Sequence, residues 1–400
     1  MSQLDEGQLM IAPAAPSDVS SRAGLPSPPA PLRWRPEVLV LERGCEDTPV
    51  ARRARAALPG VPVEVIADAR TDPRRREAEA DPFGAGKRRL LLHRERGRFL
   101  AACQAGTPGL VCCNYLTLNL VSNCPYDCSY CFLQDYLANN PTLKAVTNVD
   151  AALAEVAAVC DAHPERRLRI GTGEIADSLA LEPVLGHARE LVAFAASRPN
   201  VVLELKTKSD CVEDLLTLEP NDRVVVSWSL TPPAIADREE AGTAPFAARL
   251  AAAARCQAAG YRVGFHFDPL VDYDGCEEDY RSAVAAVARS VDLRRVAWLS
   301  LGSLRATPRL RAIVRERHPG ARVLLGEQVP SRDGKWRVFQ ARRVALYRRV
   351  AGWLREAAAG AAVSAPVYLC MEPPEVWERV FGGPPPDARA LGAVLAGGER

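Results

Sequence analysis

Cys124, Cys128 and Cys131 stand in the run Asn-Cys-Pro-Tyr-Asp-Cys-Ser-Tyr-Cys-Phe, a C-x3-C-x2-C spacing just after an apolar stretch. Thiolates are the usual protein ligands of iron–sulfur clusters. Three at this spacing can hold three irons of a [4Fe–4S] cluster and leave the fourth iron open to a small molecule. A structural zinc site fits less well, because it normally closes with a fourth Cys or His nearby. The next Cys and His here are Cys160 and His163. Inert core thiols also fit poorly. Buried free cysteines behave as small hydrophobes, whereas this loop contains Pro125 and Asp127. The remaining cysteines, Cys112-Cys113 among them, show no second C-x2-C pairing, so no auxiliary cluster is expected.

Such a loop needs a scaffold, and the sequence supplies one. From Leu110 onward, strand-like runs alternate with amphipathic helical patterns. The strands are Val111 to Val121, Leu168 to Gly171, Val201 to Lys206, Val224 to Leu230, Tyr261 to Leu270 and Arg295 to Leu301. Helical patterns follow at 181–197, 211–218, 245–259, 277–291 and 308–318. This alternation implies a parallel sheet, and right-handed crossovers curl six such strands into a partial (βα)6 barrel. The fold class is therefore α/β. A small N-terminal α/β unit precedes the barrel, with strands at 38–41 and 61–66 and a helix at 50–58. The expected divisions are a Pro/Ala/Ser-rich leader (1–33), the small unit (34–108), the barrel (109–330), and a C-terminal part (331–400) with a basic and aromatic segment, a long helix at 341–359 and a tail.

Strand parity says which side chains enter the barrel, since residues i, i+2 and i+4 share a face. Glu204, Lys206 and Lys208 share the face opposite Leu203 and Leu205. Val225, Ser227 and Ser229 form a second set, and His266 and Asp268 a third. Charge on the inner face of a barrel is costly in an apolar core, so a polar lumen that holds a ligand is expected.

Composition narrows the classes. The chain has 400 residues and a net charge of +2, so no overall basic field calls for nucleic acid. Its apolar runs are strand-length and broken by charge, and no membrane helix is expected. The first residues carry no basic and apolar signal pattern. Twelve cysteines in such a chain fit a reducing cytoplasm better than a disulfide framework.

The cysteine segment resembles the cluster loop of radical S-adenosylmethionine (SAM) enzymes, and the chain from about 36 to about 360 resembles the spore photoproduct lyase-like family. Further anchors are Gly-Thr-Gly-Glu-Ile-Ala-Asp-Ser-Leu (171–179), Thr-Lys-Ser (207–209), Ser-Leu-Thr (229–231), Ala-Gly-Thr (241–243) and Ala-Gly-Tyr-Arg-Val-Gly-Phe (259–265). The resemblance implies a [4Fe–4S] cluster on Cys124, Cys128 and Cys131 and SAM held near Tyr130, Glu174, Lys208 and Ser229. It also implies reductive cleavage of SAM to a 5′-deoxyadenosyl radical, hydrogen abstraction from a thymine photoproduct in DNA, and a flavodoxin- or ferredoxin-like reductant. Other nucleotide or small-molecule substrates, or a non-catalytic metal-binding nucleic-acid module, are the alternatives.

Two departures stand out. Gly171 occupies the place of the family's hydrogen-donating cysteine, and Phe132 that of a tyrosine after the last cluster cysteine. Cys370, in Tyr-Leu-Cys-Met-Glu-Pro, is the candidate replacement donor, with Tyr130 as the retained phenol. The segment 332–343 interleaves basic and aromatic residues, and in it Lys335, Trp336, Arg337, Arg342 and Arg343 are candidate DNA contacts.

Overall fold

The computed structural model describes residues 32–72, 80–103, 107–358 and 365–397. The leader expected at 1–33 lies outside them except for Leu32 and Arg33. Arg33 donates to Asp210 at 2.7 Å, tying the chain's entry to the barrel.

Among the described residues, seven parallel strands form the barrel wall in sequential order: Leu116–Leu118, Leu168–Gly171, Val201–Thr207, Val224–Ser229, Arg262–Leu270, Val296–Ser303 and Val367–Leu369. An antiparallel strand, Leu100–Ala102, edges the first of them. Each strand lies beside its predecessor, so every crossover advances the sheet the same way and the sheet curls into a partial barrel. The outer helices bury one stripe each. In Cys276–Ser290 the buried positions are Cys276, Tyr280, Ala283, Val284 and Val287, the repeat of a single helical face. This helix packs on the long helix Gln340–Ala358, whose inner stripe includes Tyr347, Val350 and Leu354.

The six expected strands form, with a seventh from the tail that pairs Leu299–Leu301 with Val367–Leu369. The first is much shorter than Val111 to Val121. Asn114 takes a left-handed conformation (φ 53°) that breaks extension upstream, and the chain then leaves the barrel to pair Val121–Ser122 with Leu143–Val146. That pairing joins the small sheet of Val38–Glu42, Val63–Ile66 and Arg89–His93, so the N-terminal unit does not close at residue 108. The helical pattern at 181–197 divides into Glu182–Leu185 and Ala188–Ser197, because Gly186 is left-handed (φ 71°) between them. The strand Leu143–Val146 and the helix Val149–Ala162 were not anticipated.

Parity holds inside the barrel. Glu204 is fully buried; its Oε2 accepts from Arg169 at 2.7 Å and its Oε1 from Ser227 at 2.6 Å, with His266 Nε2 2.6 Å from the same Oε1. Burial alone would raise the Glu204 carboxyl, but Arg169 and His266 hold it well below the usual range. Burial, with Lys206 and Arg169 nearby, pushes His266 down to about 4. The imidazole is therefore neutral at pH 7 and donates to the carboxylate.

The folded pKa of His266 lies below its unfolded value of about 6.5, so its stabilising contribution is complete above that pH and is lost as pH falls toward 4. The contribution is roughly 3 kcal/mol by linkage. An NMR titration of His266 should show an imidazole still neutral at pH 6; a midpoint near 6.5 would contradict the buried pairing.

Candidate active site

The three-cysteine loop contains little regular structure and is held by polar contacts from four directions. Asn123, left-handed at φ 71°, accepts from the Cys124 amide at 2.7 Å and donates to the Pro141 carbonyl at 2.5 Å. Asp127–Cys128 pairs antiparallel with Glu240–Ala241, and the Ser129 amide donates to the Glu239 carbonyl at 2.8 Å. Gln134 Nε2 donates to the Ser129 and Cys131 carbonyls at 2.8 and 3.2 Å, closing the loop on itself. From the N-terminal unit, Lys87 donates to the Tyr126 carbonyl and to Asp127 at 3.0 Å.

Cys124, Cys128 and Cys131 gather with Tyr126 and Tyr130 in one cluster. Burial raises all three thiols, and Lys87 acts against it at each. Thiolates there therefore call for a compensating cation, as an iron–sulfur cluster provides. Among the described residues no three His, Cys, Asp or Glu side chains crowd together as ligands of a single ion do. A four-iron cubane is held differently, each thiolate meeting its own iron at a separate corner.

Beside the loop, Glu240 gathers much of the expected SAM-side set. It is buried and accepts from Tyr130 Oη, from Thr231 at 2.9 Å and from Arg249 at 2.5 Å, with Lys208 Nζ at 3.6 Å. Burial alone would raise Glu240, but Lys208 and Arg249 hold it at about 2. Lys208 Nζ lies 5.9 Å from the Tyr130 ring centre. Ser229 joins through its carbonyl, which accepts from Arg249 at 3.0 Å. Glu240, Thr231 and Arg249 were missed in the sequence. The signal was present: Glu240 immediately precedes Ala-Gly-Thr, and Thr231 ends Ser-Leu-Thr.

Glu174 lies apart from this group, in a cavity at the barrel mouth. Asp177 explains the position of its loop: Thr207 Oγ1 donates to Asp177 at 2.6 Å and the Lys208 amide at 2.7 Å. Ser178 Oγ accepts from the Lys206 amide at 3.0 Å. A Cβ on Gly173 would fall 2.8 Å from the Lys206 carbonyl, so the loop approaches the strand only with glycine there. The cavity is partly open to solvent, and Glu174, Lys206, Asp268 and Cys370 line it. Burial raises Glu174 and, more strongly, the Cys370 thiol. Cys370 thus remains S–H, with its carbonyl accepting from Arg305 at 3.0 Å.

Gly171 lies against Tyr115, which lines the same cavity, and the space a side chain would need is taken. A Cβ there would fall 1.7 Å from Tyr115 Oη. Phe132 points away and is 44% exposed, so it does not line the cavity.

The candidate DNA segment divides in two. Trp336–Val338 is the central strand of a small antiparallel sheet, with a turn at Gly334 (φ 74°). Arg337 is fully buried, pairing with Asp333 at 2.5 Å and donating to the Met371 carbonyl at 2.9 Å. Arg343 is also buried and donates to Glu372 at 3.0 Å. Neither guanidinium can reach a phosphate, because each is consumed by internal carboxylates; both are corrected from DNA contacts to braces. Arg342 is exposed but paired with Asp272 at 2.7 Å. Trp336 is half-buried under the Arg311 guanidinium, 4.6 Å from the ring centre, and Lys335 is half-buried near Glu174 and Arg305.

A curled parallel sheet with a three-thiol loop at its mouth is the architecture of a radical SAM protein. The spore photoproduct lyase family model matches residues 112–356, and the chain belongs to that family. Spore photoproduct lyase of a Geobacillus species is 26% identical over 220 residues, covering 54% of this chain and 64% of the relative. The Bacillus subtilis enzyme is 23% identical over 217 residues, covering 54% and 63%. The matched region thus spans less than two-thirds of either relative. A solved spore photoproduct lyase variant with bound AdoMet and dinucleoside spore photoproduct superposes with a TM-score of 0.73 at 20% identity, over 84% of this chain and 99% of the other. No helix among the described residues is long and apolar enough to cross a membrane.

Glu240→Ala leaves the buried Arg249 and the half-buried Lys208 without their shared carboxylate. The expected cost is about 3 kcal/mol or more, read as a lower denaturant midpoint. A midpoint unchanged from the parent chain would show that Glu240 does not hold the loop's neighbours together.

Proposed function

We propose that this chain is a radical SAM enzyme that acts on a thymine photoproduct in DNA, in the reducing cytoplasm. The observation that carries the reading is convergence. The cysteine loop, Glu174, Lys208, Glu240, Arg305 and Cys370 all lie beyond the C-terminal ends of the parallel strands, where sheets of this kind place their chemistry. Cys124, Cys128 and Cys131 would hold a [4Fe–4S] cluster; with SAM beside it, a reduced cluster of this type supplies a 5′-deoxyadenosyl radical.

The chain's own groups divide the remaining work. Tyr130, fixed by Glu240, offers a flat face beside the loop for the adenine, and Lys208 and Ser229 border the same space. Glu174, in the adjoining cavity, would accept from the amino group of SAM by a charge-assisted hydrogen bond. Cys370 gives its S–H hydrogen atom to the substrate radical, forming a product C–H bond and a thiyl. One electron and one proton, supplied through a flavodoxin- or ferredoxin-like protein, restore the thiol. Lys335, near Glu174 and Arg305, and Trp336 are the proposed DNA contacts, with Arg337 and Arg343 bracing the hairpin.

The test is anaerobic reconstitution with iron and sulfide, then reductant, SAM and DNA carrying the spore photoproduct. The expected result is 5′-deoxyadenosine together with restored thymines. Cys370→Ala should lower thymine recovery at least tenfold while 5′-deoxyadenosine still forms. If 5′-deoxyadenosine accumulates and the lesion is unchanged in the parent chain, the substrate assignment fails. DNA affinity should fall steeply with salt and weaken in Lys335→Ala; salt-independent binding would remove the DNA contact.

A further inference from the structure

Phe132 directly follows the last cysteine of the cluster loop, and Tyr136 stands one helical turn further on. Both rings face solvent, Phe132 44% and Tyr136 48% exposed, with their centres 6.1 Å apart. Leu133 and Gln134, between them, are buried, and Gln134 closes the loop on itself. The short helix Leu133–Tyr136 thus turns one flank inward to hold the cysteines and presents the other as an aromatic pair. Exposed aromatic surface rimmed by polar groups marks an interaction site.

The charge at the loop is arranged with its cations outward. Arg309 reaches Asp135 at 3.3 Å, and the arginine side chain is 64% exposed over a carboxylate that is 18% exposed. Arg238 meets Glu239 at 2.9 Å, 41% exposed against 0%. Glu239 also accepts from Ser129, inside the loop, and from the Arg322 amide at 3.0 Å, while the Arg322 residue is exposed. Each carboxylate is turned in to brace the loop or its helix, and each arginine is left facing out. A partner arriving at the loop meets aromatic rings and outward guanidiniums, so the complementary surface is acidic.

The helix Pro308–Arg317 separates this face from the proposed DNA contacts. It packs on Leu133–Tyr136, with Arg309 turned to Asp135, whereas Arg311 lies over the Trp336 ring at 4.6 Å. Residues two apart on a helix lie about 200° apart around its axis, so the two arginines leave on opposite flanks. The loop flank and the hairpin flank are different surfaces.

We propose that Phe132, Tyr136 and Arg309, with Arg238 and Arg322, form the docking face for a small acidic one-electron carrier protein that reduces the cluster. This rests on the proposed function for the cluster itself, and it names where the reductant binds. One electron passes from the carrier to the cluster; no bond forms or breaks, and the carrier leaves oxidised by one electron. A single peptide link, Cys131 to Phe132, joins the face to a cluster ligand. Phe132 then has a positive role where the resemblance implies a phenol: a ring without a hydroxyl can be covered by a partner and leave no polar group unsatisfied.

The test is 5′-deoxyadenosine formation by the reconstituted chain, driven in parallel by dithionite and by reduced flavodoxin or ferredoxin. Phe132→Ser and Arg322→Glu should each raise the KM for the protein carriers roughly 5- to 20-fold, with the dithionite-driven rate unchanged. In the parent chain the carrier KM should rise with added salt. If the dithionite rate falls in step with the carrier-driven rate, these residues hold the cluster loop and the docking face is overturned. A carrier KM that neither variant moves overturns it too, even if DNA affinity drops, and so does a parent chain that dithionite drives and neither carrier does. A parent chain that forms no 5′-deoxyadenosine with dithionite overturns the radical SAM reading itself, and the face with it.

Discussion

Glu240 is the point on which the cluster loop depends. Its carboxylate is surrounded by Tyr130, Thr231, Arg249 and Lys208, drawn from different segments of the chain, and its backbone pairs with Cys128. A loop of ten residues with three thiols, a proline and little internal pairing cannot hold its own shape. One buried anion supplies the shape by satisfying several donors at once. Such an arrangement adds little net stability compared with apolar packing, but removing one member is severe. Its effect is specificity: Tyr130 has one place to be, and so does the cysteine that follows it.

The barrel interior repeats this logic one layer down. Glu204 is held between Arg169, Ser227 and His266, and Asp268 is held by Arg305. Asp177 links the loop after the second barrel strand to the end of the third. Charge is brought into the lumen only in neutralised sets, which leaves the cavity polar but not strongly charged.

Much of this was legible from sequence because it depends on local rules. The C-x3-C-x2-C spacing, the strand–helix alternation and the two-residue parity that turned Glu204, Ser227 and His266 inward need no knowledge of distant contacts. What was hidden depends on tertiary partners. Arg337 and Arg343 look like phosphate ligands in a basic run, and only Asp333 and Glu372, brought up by the fold, show that they are internal. Glu240 reads as a surface charge before Ala-Gly-Thr until Arg249 arrives from the following helix. Gly171 reads as a missing thiol, but the structure fills its space with the hydroxyl of Tyr115, a residue 56 positions earlier. The strand Leu143–Val146 escaped notice because it completes a sheet begun a hundred residues before it.

The central claim is that three thiols on one loop hold a four-iron cluster with one iron free for SAM. Mössbauer spectroscopy of the ⁵⁷Fe-reconstituted chain, before and after SAM is added, addresses it directly. The expected result is a [4Fe–4S] spectrum in which SAM shifts one iron and leaves three unchanged. Four irons that remain equivalent with SAM present, or a chain that takes up zinc and no iron, would contradict the account.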